Sequence, residues 1–85
     1  MSNIDLYTTT YCPYCVRAKA LLTQKGQKFN EIKVDNAPAL RAQMIQRSNG
    51  GRTVPQIFIG AVHVGGCDEL YALEANHQLD ALLAQ

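Results

Sequence analysis

The chain has 85 residues, enough for one small domain expected to span 1–85, and its 47% hydrophobic and 18% charged residues match ordinary globular composition. A net charge of +1 gives no field to draw nucleic acid or an anionic membrane surface, and no apolar run approaches the ~20 residues of a membrane span. No basic stretch followed by an apolar one opens the chain, so no secretory signal is read; three cysteines then point away from a disulfide framework and toward a reducing cytoplasm.

In chain order, Asn3–Thr8 predicts a strand with Ile4 and Leu6 on one face and Asp5 and Tyr7 on the other. Tyr11-Cys12-Pro13-Tyr14-Cys15 follows it. Proline suits the first turn of a helix, where its missing N–H is not needed and its φ is already helical. A helix is therefore expected over Pro13–Lys25, with Ala18, Leu21 and Leu22 as its apolar stripe and Gly26 as its stop. Phe29–Val34 predicts a second strand. Asn36 as N-cap and Pro38 early in the helix open a segment running to about Arg47, with Leu40, Met44 and Ile45 inward. Asn49-Gly50-Gly51 ends it.

The period then shortens. Gln56–Ile59 and Val62–Val64 are β-branched runs joined by Gly60-Ala61, a type II′ hairpin signal, and Gly65-Gly66 closes the hairpin. Asp68–Glu74 predicts a short helix with Leu70 and Leu73 inward, and Gln78–Ala84 a last helical segment with Leu79, Leu82 and Leu83. The first β-α-β unit implies a parallel pair with a right-handed crossover, and the hairpin adds an antiparallel pair. The expected fold is α/β and thioredoxin-like: a four-stranded mixed sheet with helices on both faces.

Cys12 and Cys15, two residues apart, suit one disulfide or one metal ion. Cys12 falls at or just before a helix start, where backbone N–H groups lack helical partners and form the positive end of the macrodipole. A thiolate there is stabilised, and cysteines of such Cys-X-X-Cys sites have pKa values of roughly 3.5–7.5 against about 8.5 for a free thiol. Cys15, one turn further in, is expected to be the more buried and less ionised partner. The asymmetry gives an attacking and a resolving thiol. The metal reading needs four ligands, and Cys12, Cys15, His63 and Cys67 are the set that can be written; Pro13 and the separate apolar core argue against it. Cys67 reads as a small buried residue at a helix start, or as an oxidisable thiol near the site. Asp68 reads as an N-cap, Tyr14 as a surface aromatic, Pro55 as a strand opener, and Arg17 and Lys19 as solvated helix positions.

Taken together, Cys12-Pro13-Tyr14-Cys15, Thr53-Val54-Pro55 and Gly65-Gly66-Cys67-Asp68 resemble the dithiol glutaredoxins, and with Cys67 and the chain length, their small bacterial type. The resemblance covers essentially the whole chain. It implies a glutathione-dependent thiol–disulfide oxidoreductase with Cys12 as nucleophile and Cys15 as resolving thiol. Tyr14 would line a glutathione groove. Thr53-Val54-Pro55 would place Pro55 after a cis bond and offer the Val54 N–H and C=O to the cysteinyl part of glutathione, as an added strand would. The N–H groups at Cys67 and Asp68 would hold the γ-glutamyl carboxylate, and the Asp68 carboxylate would pair with the γ-glutamyl ammonium.

Glutathione would be a reducing co-substrate, with no bound cofactor or metal. Partners would be disulfide-bearing or glutathionylated proteins, ribonucleotide reductase being typical; neither nucleic acid nor membrane is implied, and a monomer is expected. One departure stands out. Where many glutaredoxins place lysine or arginine three residues before the first cysteine, this chain has Thr9, and its first sixteen residues hold no lysine or arginine. Activation of Cys12 is then expected to come mainly from the helix terminus, with Arg47 or Arg52 as stand-ins for the glycyl-carboxylate contact. Thr9 also favours a rival reading, a redoxin reduced by thioredoxin reductase, against which Asp68 and Thr53-Val54 argue. A cluster-binding module is the third reading, and Pro13 and Cys15 oppose it.

Overall fold

The computed structural model describes residues 3–85. Its central strand β1 (Ile4–Thr8) pairs parallel with β2 (Asn30–Lys33), from Asp5 opposite Asn30 to Thr8 opposite Lys33. On its other side β1 pairs antiparallel with β3 (Gln56–Ile59), Leu6 opposite Ile57. The hairpin partner β4 (Val62–Gly65) forms the far edge, giving the order β2-β1-β3-β4. Gly60 at φ 59 is the left-handed residue of the two-residue turn, a conformation in which a side chain would be strained.

Alternation along β1 and β3 builds two cores. Ile4, Leu6, Ile57 and Ile59 face α1 (Pro13–Gln24), α3 (Cys67–Ala75) and α4 (Leu79–Leu83), burying Ala18, Leu21, Leu22, Leu70, Leu79 and Leu83 with them. Tyr7 and Phe58 point the other way and meet Val34, just after β2, and Met44 of α2 (Pro38–Arg47). This is the thioredoxin-like arrangement, with helices on both faces. Ten buried residues on one face against four on the other put most of the hydrophobic stabilisation under α1, α3 and α4, at about 1.5–3 kcal/mol per buried large side chain.

Three expectations need correction. Asn36 does not cap α2: it sits at φ 57, and Ala37 occupies the cap position without a side-chain bond. Leu40 is 38% exposed. The inward stripe of α2 is instead Arg41, Met44 and Ile45, continued by the C-cap Ser48, at helical spacing, which turns Leu40 about 100° away from the sheet. Asp68 does not cap α3 either. The cap is Gly66, whose N–H donates to Glu69 Oε1 at 2.7 Å, so Cys67 and Asp68 are the first two helical residues. The remaining boundaries differ from the sequence reading by a residue at either end, the usual margin for fraying termini.

Candidate active site

The carboxyl end of β1 delivers the chain to the site. The loop after it is tied down at Thr10, whose N–H and hydroxyl both donate to Asp35 Oδ2, at 3.0 and 2.5 Å. Cys12 then takes extended backbone angles, φ −137 and ψ 102, as the N-cap of α1, and Pro13 supplies the first helical residue. The Cys12 sulfur accepts the Cys15 N–H at 3.1 Å. One otherwise orphaned donor of the helix start is thereby aimed at the sulfur.

The two thiols differ in surroundings. Cys12 keeps 8% exposure, while Cys15 is 1% exposed. Burial and the hydrogen bond to the Cys12 sulfur push the Cys15 thiol up to about 12, and a bond from the Thr9 backbone and the charge of Lys19 recover only part of that. Lys19 is not merely solvated: it pairs with Glu31 at 2.9 Å, and the same carboxylate oxygen accepts the buried Thr8 hydroxyl at 2.8 Å. Thr9 thus acts through its backbone, toward Cys15.

A groove of about 290 Å³ runs from the start of α1 to the start of α3. Tyr14, Thr53, Val54, Pro55, Cys67 and Asp68, the residues singled out from the sequence, all line it, joined by Gly66 and Glu69. The Val54–Pro55 bond is cis. The Val54 carbonyl lies 3.8 Å from the Cys12 sulfur, so the nucleophile and this wall meet at one point. At the other end, the Cys67 and Asp68 amides belong to the first turn of α3 and have no i−4 carbonyl to bind. Burial raises the Cys67 thiol above its ordinary value, with Arg17 nearby partly offsetting that.

The structure separates Arg47 and His63 from the groove and leaves Arg52 beside it. Arg47 is on the α2 side of the sheet, where Nη1 binds Asp5 Oδ2 at 2.9 Å and Tyr7 Oη at 3.3 Å and the guanidinium sits 4.1 Å above the Phe58 ring. It is not available as a carboxylate contact. Arg52 precedes the groove residue Thr53, is exposed, and has its carbonyl bound by Arg41 Nη1 at 3.2 Å. His63 is engaged by Gln56 Oε1 at 2.7 Å and stacks on Phe58, so it does not join the cysteines, and among the described residues no three His, Cys, Asp or Glu side chains gather as a metal site. Glu69 was missed in the sequence; its place three residues after Gly66 is the capping-box spacing that signals it.

The Glutaredoxin family model matches residues 4–64. Glutaredoxin 3 of Escherichia coli K12 is 58% identical over 83 residues, covering 98% of this chain and 99% of that protein. A glutaredoxin of Pseudomonas aeruginosa is 55% identical over 84 residues, covering 99% of each. Among solved structures, a buckwheat glutaredoxin–glutathione complex superposes with TM-score 0.88 at 35% identity, over 98% of this chain and 77% of that one. The solution structure of glutaredoxin from Brucella melitensis superposes with TM-score 0.84 at 59% identity, over 98% and 89%.

Proposed function

The chain belongs to the glutaredoxin family and is a thiol–disulfide oxidoreductase, and from that premise we propose that glutathione is its reductant, with Cys12 as nucleophile and Cys15 as resolving thiol. The observation that carries the proposal is the meeting of the Cys12 sulfur and the Val54 carbonyl at the head of a groove that ends on the first amides of α3. Glutathione is an extended tripeptide with an anionic γ-glutamyl end. Val54 offers a backbone edge to its middle, and the α3 start offers N–H donors and a favourable dipole to its carboxylate. Asp68 pairs with the ammonium beside that carboxylate, and Tyr14, Thr53, Pro55 and Cys67 close the walls. Arg52 takes the glycyl carboxylate.

Against a protein–glutathione mixed disulfide, the Cys12 thiolate attacks the glutathione sulfur. The Cys12–glutathione bond forms as the protein–glutathione bond breaks, and the protein thiolate leaves and takes a proton. A second glutathione thiolate then attacks the bound glutathione sulfur, releasing glutathione disulfide and regenerating Cys12. Against a protein disulfide, the Cys12 thiolate attacks one substrate sulfur; the Cys12–substrate bond forms as the substrate S–S bond breaks, and the other substrate sulfur leaves as a thiolate and takes a proton. Cys15 gives up its proton and displaces the substrate, leaving a Cys12–Cys15 bond that two glutathiones reduce. Burial holds the Cys15 thiol above its ordinary value and slows its attack on the Cys12–glutathione adduct. Its partners are glutathionylated and disulfide-bearing proteins of a reducing cytoplasm, and it acts as a monomer without a bound cofactor.

The test is a pair of substitutions assayed with glutathione as sole reductant. Cys12→Ser abolishes reduction of both substrate types. Cys15→Ser abolishes only the reduction of protein disulfides; loss of deglutathionylation in Cys15→Ser would sink the one-thiol route. Faster reduction by thioredoxin reductase than by glutathione would transfer the chain to the rival electron donor.

A further inference from the structure

We infer that Gln56 is a positioning residue that sets the Val54 wall of the groove, and that His63 locks Gln56 in the orientation this requires. The inference rests on the reading of that wall as the docking edge for glutathione. Gln56 opens β3 immediately after Thr53–Pro55, and it is 5% exposed. A buried amide needs partners at both ends. Here Nε2 donates to the Thr53 carbonyl at 3.0 Å, and Oε1 is 2.7 Å from His63 Nε2. With Oε1 held by a ring N–H, Nε2 faces Thr53. His63 Nε2 donates in the charged imidazole and in one neutral tautomer, so the lock does not depend on a proton at Nδ1.

The local chain shows why one amide matters. The Arg52 carbonyl is held by Arg41 Nη1 at 3.2 Å and the Thr53 carbonyl by Gln56. Two successive carbonyls are thus anchored by side chains, and the next one, Val54, is the carbonyl that approaches Cys12. Gly51 completes the arrangement: a Cβ there would stand 2.8 Å from Gln56 Nε2 and 2.6 Å from Ser48 Oγ, so a larger residue would push the amide or the hydroxyl from its place. The imidazole is held in turn by stacking on Phe58, ring centroids 4.7 Å apart at 23°.

Gln56→Glu preserves size and the His63 partner but turns the donor facing Thr53 into an acceptor. His63→Phe keeps the stack and removes the ring donor at an exposed position. Both variants and the parent are assayed for kcat and KM on a glutathionylated peptide, and for the rate of Cys12 alkylation by iodoacetamide. Gln56→Glu should raise KM about fivefold to tenfold, and His63→Phe about twofold to threefold, the loss of one and of part of one hydrogen bond. In both, kcat and the alkylation rate stay within about twofold, since neither side chain touches the sulfur. A purely structural role would lower Tm and leave KM alone, and that outcome overturns the inference. Should Gln56→Glu fail to fold, an unchanged KM in His63→Phe overturns it equally. A parent that shows no saturable turnover of the peptide refutes the glutathione reading and the positioning role with it; a parent that saturates beside unchanged variants refutes Gln56 alone.

Discussion

Iodoacetamide added to the reduced protein at pH 7 should alkylate Cys12 and leave Cys15 intact. With its thiol at about 12 through burial and its bond to Cys12, Cys15 is ionised in only about one molecule in 10⁵ at pH 7. A free thiol of pKa about 8.5 is ionised in about three per hundred, so ionisation alone slows Cys15 by about 10³. Its 1% exposure adds a steric barrier in the same direction. Peptide mapping by mass spectrometry over a time course reads each site separately. Cys15 labelling should climb about tenfold per pH unit through pH 10, because its thiolate fraction does. Cys67, also raised by burial, should lag behind Cys12. Comparable labelling of Cys12 and Cys15 at pH 7, or a Cys15 rate that levels off well below pH 10, would refute the account of the resolving thiol.

The same shift makes stability fall with alkali. The folded pKa of Cys15 exceeds the unfolded one, so between about 9 and 12 the unfolded chain has fewer protons bound, and stability drops as pH rises through that window; urea midpoints for Cys15→Ser should be flatter there than for the parent. On the acid side, the bond from Lys19 holds Glu31 below the usual carboxylate range, burial being outweighed. Burial alone would raise Asp5, but bonds from Asn30 and Arg47 overturn that and hold it low. Both contribute stability that is present above about pH 4 and lost as pH falls through their lowered values, so Lys19→Met and Arg47→Met should each shallow the acid limb of a pH–stability curve. Leu70→Ala, at 0% exposure in the larger core, should cost about 2–5 kcal/mol and lower Tm by at least about 10 °C, whereas a fall of a degree or two would show that α3 is not held by that core.

Much of this molecule was legible in short-range signals. Pro13 marked the start of α1, Gly60-Ala61 the hairpin, and alternation at Ile4, Leu6 and Tyr7 assigned residues to the two faces. The groove residues were reached through the resemblance of three motifs to the dithiol glutaredoxins, not through any local pattern. What escaped the sequence was set by tertiary partners. Leu40 looks like core until the sheet shows that Arg41, Met44 and Ser48 face it. Asn36 is a good cap by type, yet it takes a left-handed turn and leaves Ala37 at the helix start. Arg47 is drawn to Asp5 and the Phe58 ring on the far side of the sheet, a contact between residues 42 apart in the chain that no local pattern encodes. Gln56 was hidden for the same reason, since its partners His63 and Thr53 lie on different segments and its own position reads only as the first residue of a strand.

Glutathione is expected to attach at Cys12 alone. Cys15→Ser, reduced and then incubated with glutathione disulfide, tests it by mass mapping of the adduct. One glutathione on Cys12, removed by fresh reduced glutathione, is the predicted result. No adduct on Cys12, or any adduct on Cys67, would contradict it.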